Sequence, residues 1–180
     1  MTGRKGDESV RVLNVLIAGH SQHGKSSLIE AIVGDFPDNL GFELSHGTTV
    51  SLKVIRFFLK DKNLQINFLD SPGHADFKGG IALGLEFADL LVLVISGKEG
   101  FQARTYWLFE KAKEKNLPIV IAATKMDLPV AKTSHIKKEL KLQTSKKVSI
   151  VETSAREGFG IEELIEKVCI YVPRRKRISS

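Results

Sequence analysis

Apolar positions along the chain fall into short continuous or alternating runs, separated by stretches with helical spacing. Residues 10–18 (VRVLNVLIA) are nearly all apolar and β-branched, which fits a strand buried on both faces of a parallel sheet. Residues 27–33 carry Leu28, Ile29, Ile32 and Val33 at helical spacing, and Gly34 and Pro37 end that helix. Residues 37–48 have no period and read as a mobile loop. Residues 49–59 alternate, Asp61, Lys62 and Asn63 supply a turn, and residues 64–69 alternate again, which predicts a hairpin. A helix over 76–88 follows from Phe77, Ile81, Leu85 and Phe87, weakened by Gly79, Gly80 and Gly84 enough to suggest that it moves. Strands at 90–95, 118–123 and 148–152 then alternate with helices at 103–115, 129–143 and 161–172, the last closing at Pro173.

This alternation predicts an α/β fold: one three-layer domain, with helices on both faces of a mostly parallel six-stranded sheet. Ligands in such sheets bind outside the carboxyl ends of the strands. The chain of 180 residues is within the range of one domain, divided here into a flexible N-terminus (1–9), one α/β domain (10–172) and a basic tail (173–180).

Composition narrows the class only a little. A 42% hydrophobic and 27% charged chain is neither disordered nor fibrous, and no apolar run approaches the ~20 residues that cross a bilayer, so a cytoplasmic protein without a membrane partner is expected. Cys169 is alone and sits in an apolar pattern, as a small core hydrophobe does. The net charge of +6 permits contact with RNA without requiring it. Its clusters are Lys137 and Lys138, Lys146 and Lys147, and the run Arg174, Arg175, Lys176 and Arg177. The tail could touch ribosomal RNA, although such a run is more often a solvated end, and the Lys137 to Lys141 stretch reads as a solvent face. Phe101, Tyr106 and Trp107 read as packing rather than a stacking platform.

The chemistry starts at Gly19, His20, Ser21, Gln22, His23, Gly24, Lys25 and Ser26, which match G-x-x-x-x-G-K-[ST] between a strand and a helix. In that context loop N–H groups and the helix dipole converge on a polyphosphate, with Ser27 in the same first turn. Lys25 reaches the β- and γ-phosphates, and the Ser26 hydroxyl goes to Mg²⁺. Asp70, Ser71, Pro72, Gly73 and His74 follow a strand, where Asp70 can hold Mg²⁺ through a water and the Gly73 N–H can meet a γ-phosphate. Thr124, Lys125, Met126 and Asp127 follow another strand, and Ser154, Ala155 and Arg156 a third.

Together these motifs resemble the GTP-binding domain of the translational GTPases, the group of elongation factor Tu and its selenocysteine-specific and initiation-factor relatives. The phosphate loop is similar to that group's G-H-V-D-H-G-K-[ST], with His20 and His23 both matching, and Asp70 to His74 matches its D-x-P-G-H. Gly47, Thr48, Thr49 and Val50 are similar to its G-I-T-I. The resemblance implies that Thr49 meets the γ-phosphate and Mg²⁺ only with GTP bound, and that His74 orients the attacking water. It also implies that Lys125 packs along the base, that Asp127 accepts from the guanine edge, and that the Ala155 N–H meets the guanine oxygen.

Three departures stand beside the likeness. Thr124 replaces the usual Asn of N-K-x-D, so the amide that would contact the purine edge and tie down the phosphate loop gives way to a shorter hydroxyl, and some loss of nucleotide affinity is expected. Gln22 replaces an Asp, which puts any monovalent-cation role of that position in doubt. The sequence ends at Ser180, before the β-barrel domains of such factors, so tRNA binding in their manner is not implied. The resemblance therefore implies a GTPase switch that uses GTP, GDP and Mg²⁺, slow alone, stimulated by an activating protein or the ribosome. Two alternatives stay open: a nucleotide-dependent interaction module with little hydrolysis, and an ATP-using relative.

Overall fold

The computed structural model describes residues 10–35, 40–43, 53–70 and 78–173. Seven strands form one sheet: β1 (Arg11–Gly19), β2 (Leu40–Glu43), β3 (Lys53–Leu59), β4 (Leu64–Asp70), β5 (Leu90–Ser96), β6 (Ile119–Thr124) and β7 (Ser149–Glu152). Five helices alternate with them: α1 (Lys25–Asp35), α2 (Lys78–Phe87), α3 (Ala103–Glu114), α4 (Thr133–Gln143) and α5 (Ile161–Cys169). The strand order is β2-β3-β4-β1-β5-β6-β7, parallel from β4 to β7 and antiparallel at the β2, β3 and β4 edge.

The continuous apolar run of β1 follows from its place in the middle of this sheet. Leu13, Val15 and Ile17 point to one face, where Leu28 and Ile32 of α1 and Leu164 and Val168 of α5 cover them. Leu16 and Ala18 point to the other, beneath Ile81 and Leu85 of α2, Leu108 and Phe109 of α3, and Ile136 of α4. Two cores, one on each face, make the three expected layers. Gly84 has its own packing reason: a Cβ there would lie 2.7 Å from Leu16 Cδ1, so the glycine lets α2 approach β1 closely.

All six expected strands are present, and β2 is an addition to them. It lies inside the stretch expected to be a loop, where Leu40 to Glu43 pair antiparallel with Phe57 to Val54. The basic helix begins at Thr133 rather than at 129, because Lys132 is extended and its N–H donates to the Gly97 carbonyl at 3.0 Å. Helix α5 stops at Cys169, and the Ile170 and Tyr171 N–H groups close tighter turns onto Lys167 and Val168. Cys169 is partly buried against the first core, and Phe101 packs on Tyr106 and Phe109 with centroids 5.0 and 6.1 Å away. Lys137, Lys138 and Lys141 are exposed.

Candidate functional site

The carboxyl ends of β1, β4, β5 and β6 carry Gly19, Asp70, Ser96 and Thr124, and Ser154 follows β7 at the same edge. The sequence between β1 and α1 bends there for identifiable reasons. A Cβ on Gly19 would collide with the Val94 carbonyl of the neighbouring strand, and Gly24 has φ +81°. The His23 N–H closes a turn on the His20 carbonyl at 3.2 Å, and the Leu28 N–H bonds the Gly24 carbonyl at 2.9 Å to start α1.

Lys25 stands over this loop with 5% of its surface exposed. Its Nζ donates to the Gly19 carbonyl at 3.2 Å and the His20 carbonyl at 2.8 Å. Burial lowers its pKa, with the Asp70 carboxylate opposing. Burial conversely raises the pKa of Asp70, against Lys25 and Lys53. A buried ammonium that leans on neutral carbonyls fits a polyphosphate as counter-charge. A desolvated Asp70 carboxylate and the exposed Ser26 hydroxyl are hard oxygen donors of the type Mg²⁺ takes. Ser21 and Gln22 lie exposed in the same loop, and Ser27 is exposed in the first turn of α1.

The loop after β6 is bonded to the phosphate loop in two places. Thr124 Oγ1 donates to the His23 carbonyl at 2.6 Å, with only 4% of the residue exposed. Lys125, held at φ +58°, donates from Nζ to the Gln22 carbonyl at 2.8 Å. Thr124, standing where the family has an amide, thus still bonds the phosphate loop. The hydroxyl is short, yet the backbone at the end of β6 runs close enough for it to reach.

Asp127 faces the loop after β7, where Ser154 Oγ donates to its Oδ1 at 2.8 Å and accepts from the Glu157 N–H at 3.1 Å. Arg156 brings Nη1 to 4.0 Å from Asp127 Oδ2, with the Asp127 side chain 13% exposed. Between Gly24 and Ser27 on one side and Thr124, Asp127, Ala155 and Arg156 on the other is a cavity of about 220 Å³. A cavity with a carboxylate at one end and a phosphate loop at the other suits a purine nucleotide. A larger cavity, about 380 Å³ beside Pro118 and Tyr171, lacks such a loop.

The structure thus brings His20, Ser21, Gln22, His23, Gly24, Lys25, Ser26, Ser27, Asp70, Thr124, Lys125, Asp127, Ser154, Ala155 and Arg156 to one edge of the sheet. Thr49, Gly73 and His74 lie outside the described residues. Two participants were not singled out in the sequence. Glu99, after β5, places Oε2 3.4 Å from His23 Nε2 and Oε1 3.9 Å from Lys125 Nζ, and Val94 offers its carbonyl to His23 Nδ1 at 3.2 Å. Neither belongs to a motif, and only the strand register brings them in.

Known proteins place this geometry in a family. Residues 10–174 match the Elongation factor Tu GTP binding domain. Elongation factor 4 of Borreliella burgdorferi is 31% identical over 182 residues, covering 92% of this chain and 30% of the relative. Elongation factor 4 of Aquifex aeolicus is 31% identical over 186 residues, covering 94% and 31%. The chain thus spans under a third of these relatives' length. Among solved structures, translation elongation factor SelB from Methanococcus maripaludis, in complex with the GTP analogue GppNHp, is 27% identical with a TM-score of 0.72, covering 96% of this chain and 37% of that one. The bacterial selenocysteine-specific elongation factor EF-Sec shares the fold at 24% identity and a TM-score of 0.72, over 91% of this chain and 30% of that one. With the match running from the central strand to beyond α5, the chain belongs to the elongation factor Tu GTP-binding domain family, the nucleotide-binding domain of translational GTPases.

Proposed function

We propose that this domain binds GTP with Mg²⁺ and hydrolyses it to GDP and phosphate, as a cytoplasmic switch in translation whose slow turnover a ribosomal partner or activating protein accelerates. The observation that carries this reading is the double tie of Thr124 and Lys125 to His23 and Gln22, which couples a base-sized cavity to a phosphate loop. Asp127 accepts from the ring N–H and exocyclic amine of guanine, a donor pair that adenine lacks. The Ala155 N–H meets the guanine oxygen, and the Lys125 stem covers the base.

At the other end Lys25 exchanges the Gly19 and His20 carbonyls for β- and γ-phosphate oxygens, and the loop N–H groups hold the chain of phosphates. Ser26, Asp70 and, with GTP, Thr49 would hold Mg²⁺, whose charge would offset that of the phosphates. The Gly73 N–H contacts the γ-phosphate, and His74 orients a water in line with the bond that breaks. The water oxygen bonds to the γ-phosphorus and passes a proton to an oxygen of the departing phosphate, the bond to the β-bridging oxygen breaks, and GDP leaves with that electron pair. Positioning and charge stabilisation supply the rate, so intrinsic turnover sits up to about 10⁵-fold below the stimulated one.

His74→Ala tests the assignment, with GDP affinity by calorimetry and single-turnover GTP hydrolysis measured with and without ribosomes. The expected result is nearly unchanged affinity with hydrolysis strongly reduced in both conditions. Equal loss of both rejects the role of His74. A wild-type protein that ribosomes never stimulate favours the interaction-module alternative, and preference for ADP over GDP overturns the assignment of Asp127.

A further inference from the structure

Beside the phosphate cradle the side chains of His20, His23 and Glu99 form a second cluster, and the GTPase reading, which draws on the loop backbone, gives those side chains no role. One ring nitrogen each of His20 and His23 and one carboxylate oxygen of Glu99 lie within 4.8 Å of one another. His23 is fully buried, and the two imidazole rings lie 5.1 Å apart. Among the described residues, His20 Nδ1 and His23 Nε2 are buried without a hydrogen-bond partner.

The tautomer of His23 decides what this means. Its Nδ1 lies 3.2 Å from the Val94 carbonyl, which only accepts, so Nδ1 carries the proton. In the neutral ring, Nε2 then presents a lone pair. The lone pair faces Glu99 Oε2 at 3.4 Å, so two acceptors confront each other with a third, on His20, close by. A proton on His23 Nε2 would answer Glu99 alone and leave His20 Nδ1 unmet, whereas one metal cation among the three would meet all of them.

We infer that His20, His23 and Glu99 form a binding site for a divalent transition-metal ion of the zinc class. Zinc takes imidazole nitrogen and carboxylate oxygen at about 2.0–2.2 Å, and two imidazoles with one glutamate is a recognised three-ligand set with room for a water. Tetrahedral bonds of that length put neighbouring ligand atoms about 3.4 Å apart, which is the His23 to Glu99 separation. The remaining contact closes by a rotation of the partly exposed His20 and Glu99 side chains. The backbone carbonyl at His23 Nδ1 is the outer partner that fixes a ligating ring. Two imidazoles make the site softer than the all-oxygen set of Ser26 and Asp70, so excess Mg²⁺ does not compete for it. The ion would fasten the phosphate loop to the connection after β5.

The experiment titrates Zn²⁺ into the protein in excess Mg²⁺ against a metal-indicator chelator, and repeats the titration with Co²⁺ to read the visible absorption of a four-coordinate nitrogen and oxygen site. Wild type should take one equivalent of Zn²⁺ and give the Co²⁺ spectrum. His20→Ala and the near-isosteric Glu99→Gln should each weaken Zn²⁺ binding by at least about tenfold. His135→Ala, which alters an exposed histidine of α4, should bind as wild type does. Circular dichroism of each variant separates loss of a ligand from loss of fold. No binding by folded wild type, an octahedral Co²⁺ spectrum, or equal affinity in folded Glu99→Gln overturns the proposal, whether or not the domain hydrolyses GTP.

Discussion

Thr124 Oγ1 lies 2.6 Å from the carbonyl oxygen of His23, a residue 101 positions earlier, and this hydrogen bond joins the base-side loop to the phosphate loop. It is buried, so its loss has a definite cost. Thr124→Val keeps the shape and removes the donor, leaving a carbonyl unmet at about 1–3 kcal/mol. A chain of this size loses about 2–4 °C of Tm for each kcal/mol. Thermal unfolding should show that loss, and GDP affinity should fall with it. Thr124→Asn restores a donor of greater reach and should bind GDP at least as tightly as wild type. An unchanged Tm in Thr124→Val would remove the tie from the account.

Asp127 receives the Ser154 hydroxyl on Oδ1 and has Arg156 Nη1 4.0 Å from Oδ2, and the proposed base contact uses its remaining lone pairs. Asp127→Asn turns one acceptor into a donor and deletes the charge. Charge-assisted hydrogen bonds contribute about 1.5–3 kcal/mol, so GDP affinity should drop by roughly 10- to 100-fold. Xanthosine diphosphate presents a carbonyl where guanine has its amine and should gain in relative terms. Competition between the two diphosphates reads both effects.

The buried ammonium of Lys25 is costly to the empty domain and useful only with phosphate present. Lys25→Met keeps a stem of similar shape while removing the desolvated charge. GDP affinity in Mg²⁺ should fall at least about 100-fold, about 2.7 kcal/mol, with stability of the nucleotide-free protein within about 1 kcal/mol of wild type. Calorimetry and chemical denaturation separate the two, and equal collapse of both would make Lys25 a structural residue.

The fold was legible where burial alone decides the pattern. β1 reads as apolar throughout because both its faces are covered, and α5 reads as amphipathic because Ile161, Leu164, Ile165 and Val168 share one covered side. β2 was not legible, since four residues carry too short a period and their pairing with β3 is the reason they are extended. The start of α4 was misplaced because the Lys132 to Gly97 bond is set by the sheet, not by local sequence. At the candidate site, motif spacing singled out residues 19–26 and Asp127, which the fold brings to one edge of the sheet. The Thr124 tie and the approach of Glu99 depend on how β5 and β6 align, with Ser96 opposite Thr124, which no local pattern encodes.

Gly160 and Gly100 separate backbone conformation from crowding. Both have positive φ, +76° and +67°. A Cβ at Gly160 would collide with the Glu152 carbonyl, whereas one at Gly100 meets nothing within 4 Å. Gly100→Ala therefore carries only the left-handed penalty of about 1–2 kcal/mol. Gly160→Ala adds displacement of the β7 end, and with it of Ser154, whose Oγ holds Asp127. Urea denaturation should place Gly160→Ala below Gly100→Ala in stability, with a loss above about 3 kcal/mol. GDP binding at low temperature should weaken in Gly160→Ala alone, because only there is the strain transmitted to the Asp127 carboxylate, the proposed base contact. Comparable losses in the two variants would mean that φ accounts for the whole effect and that the β7 connection yields without moving the site.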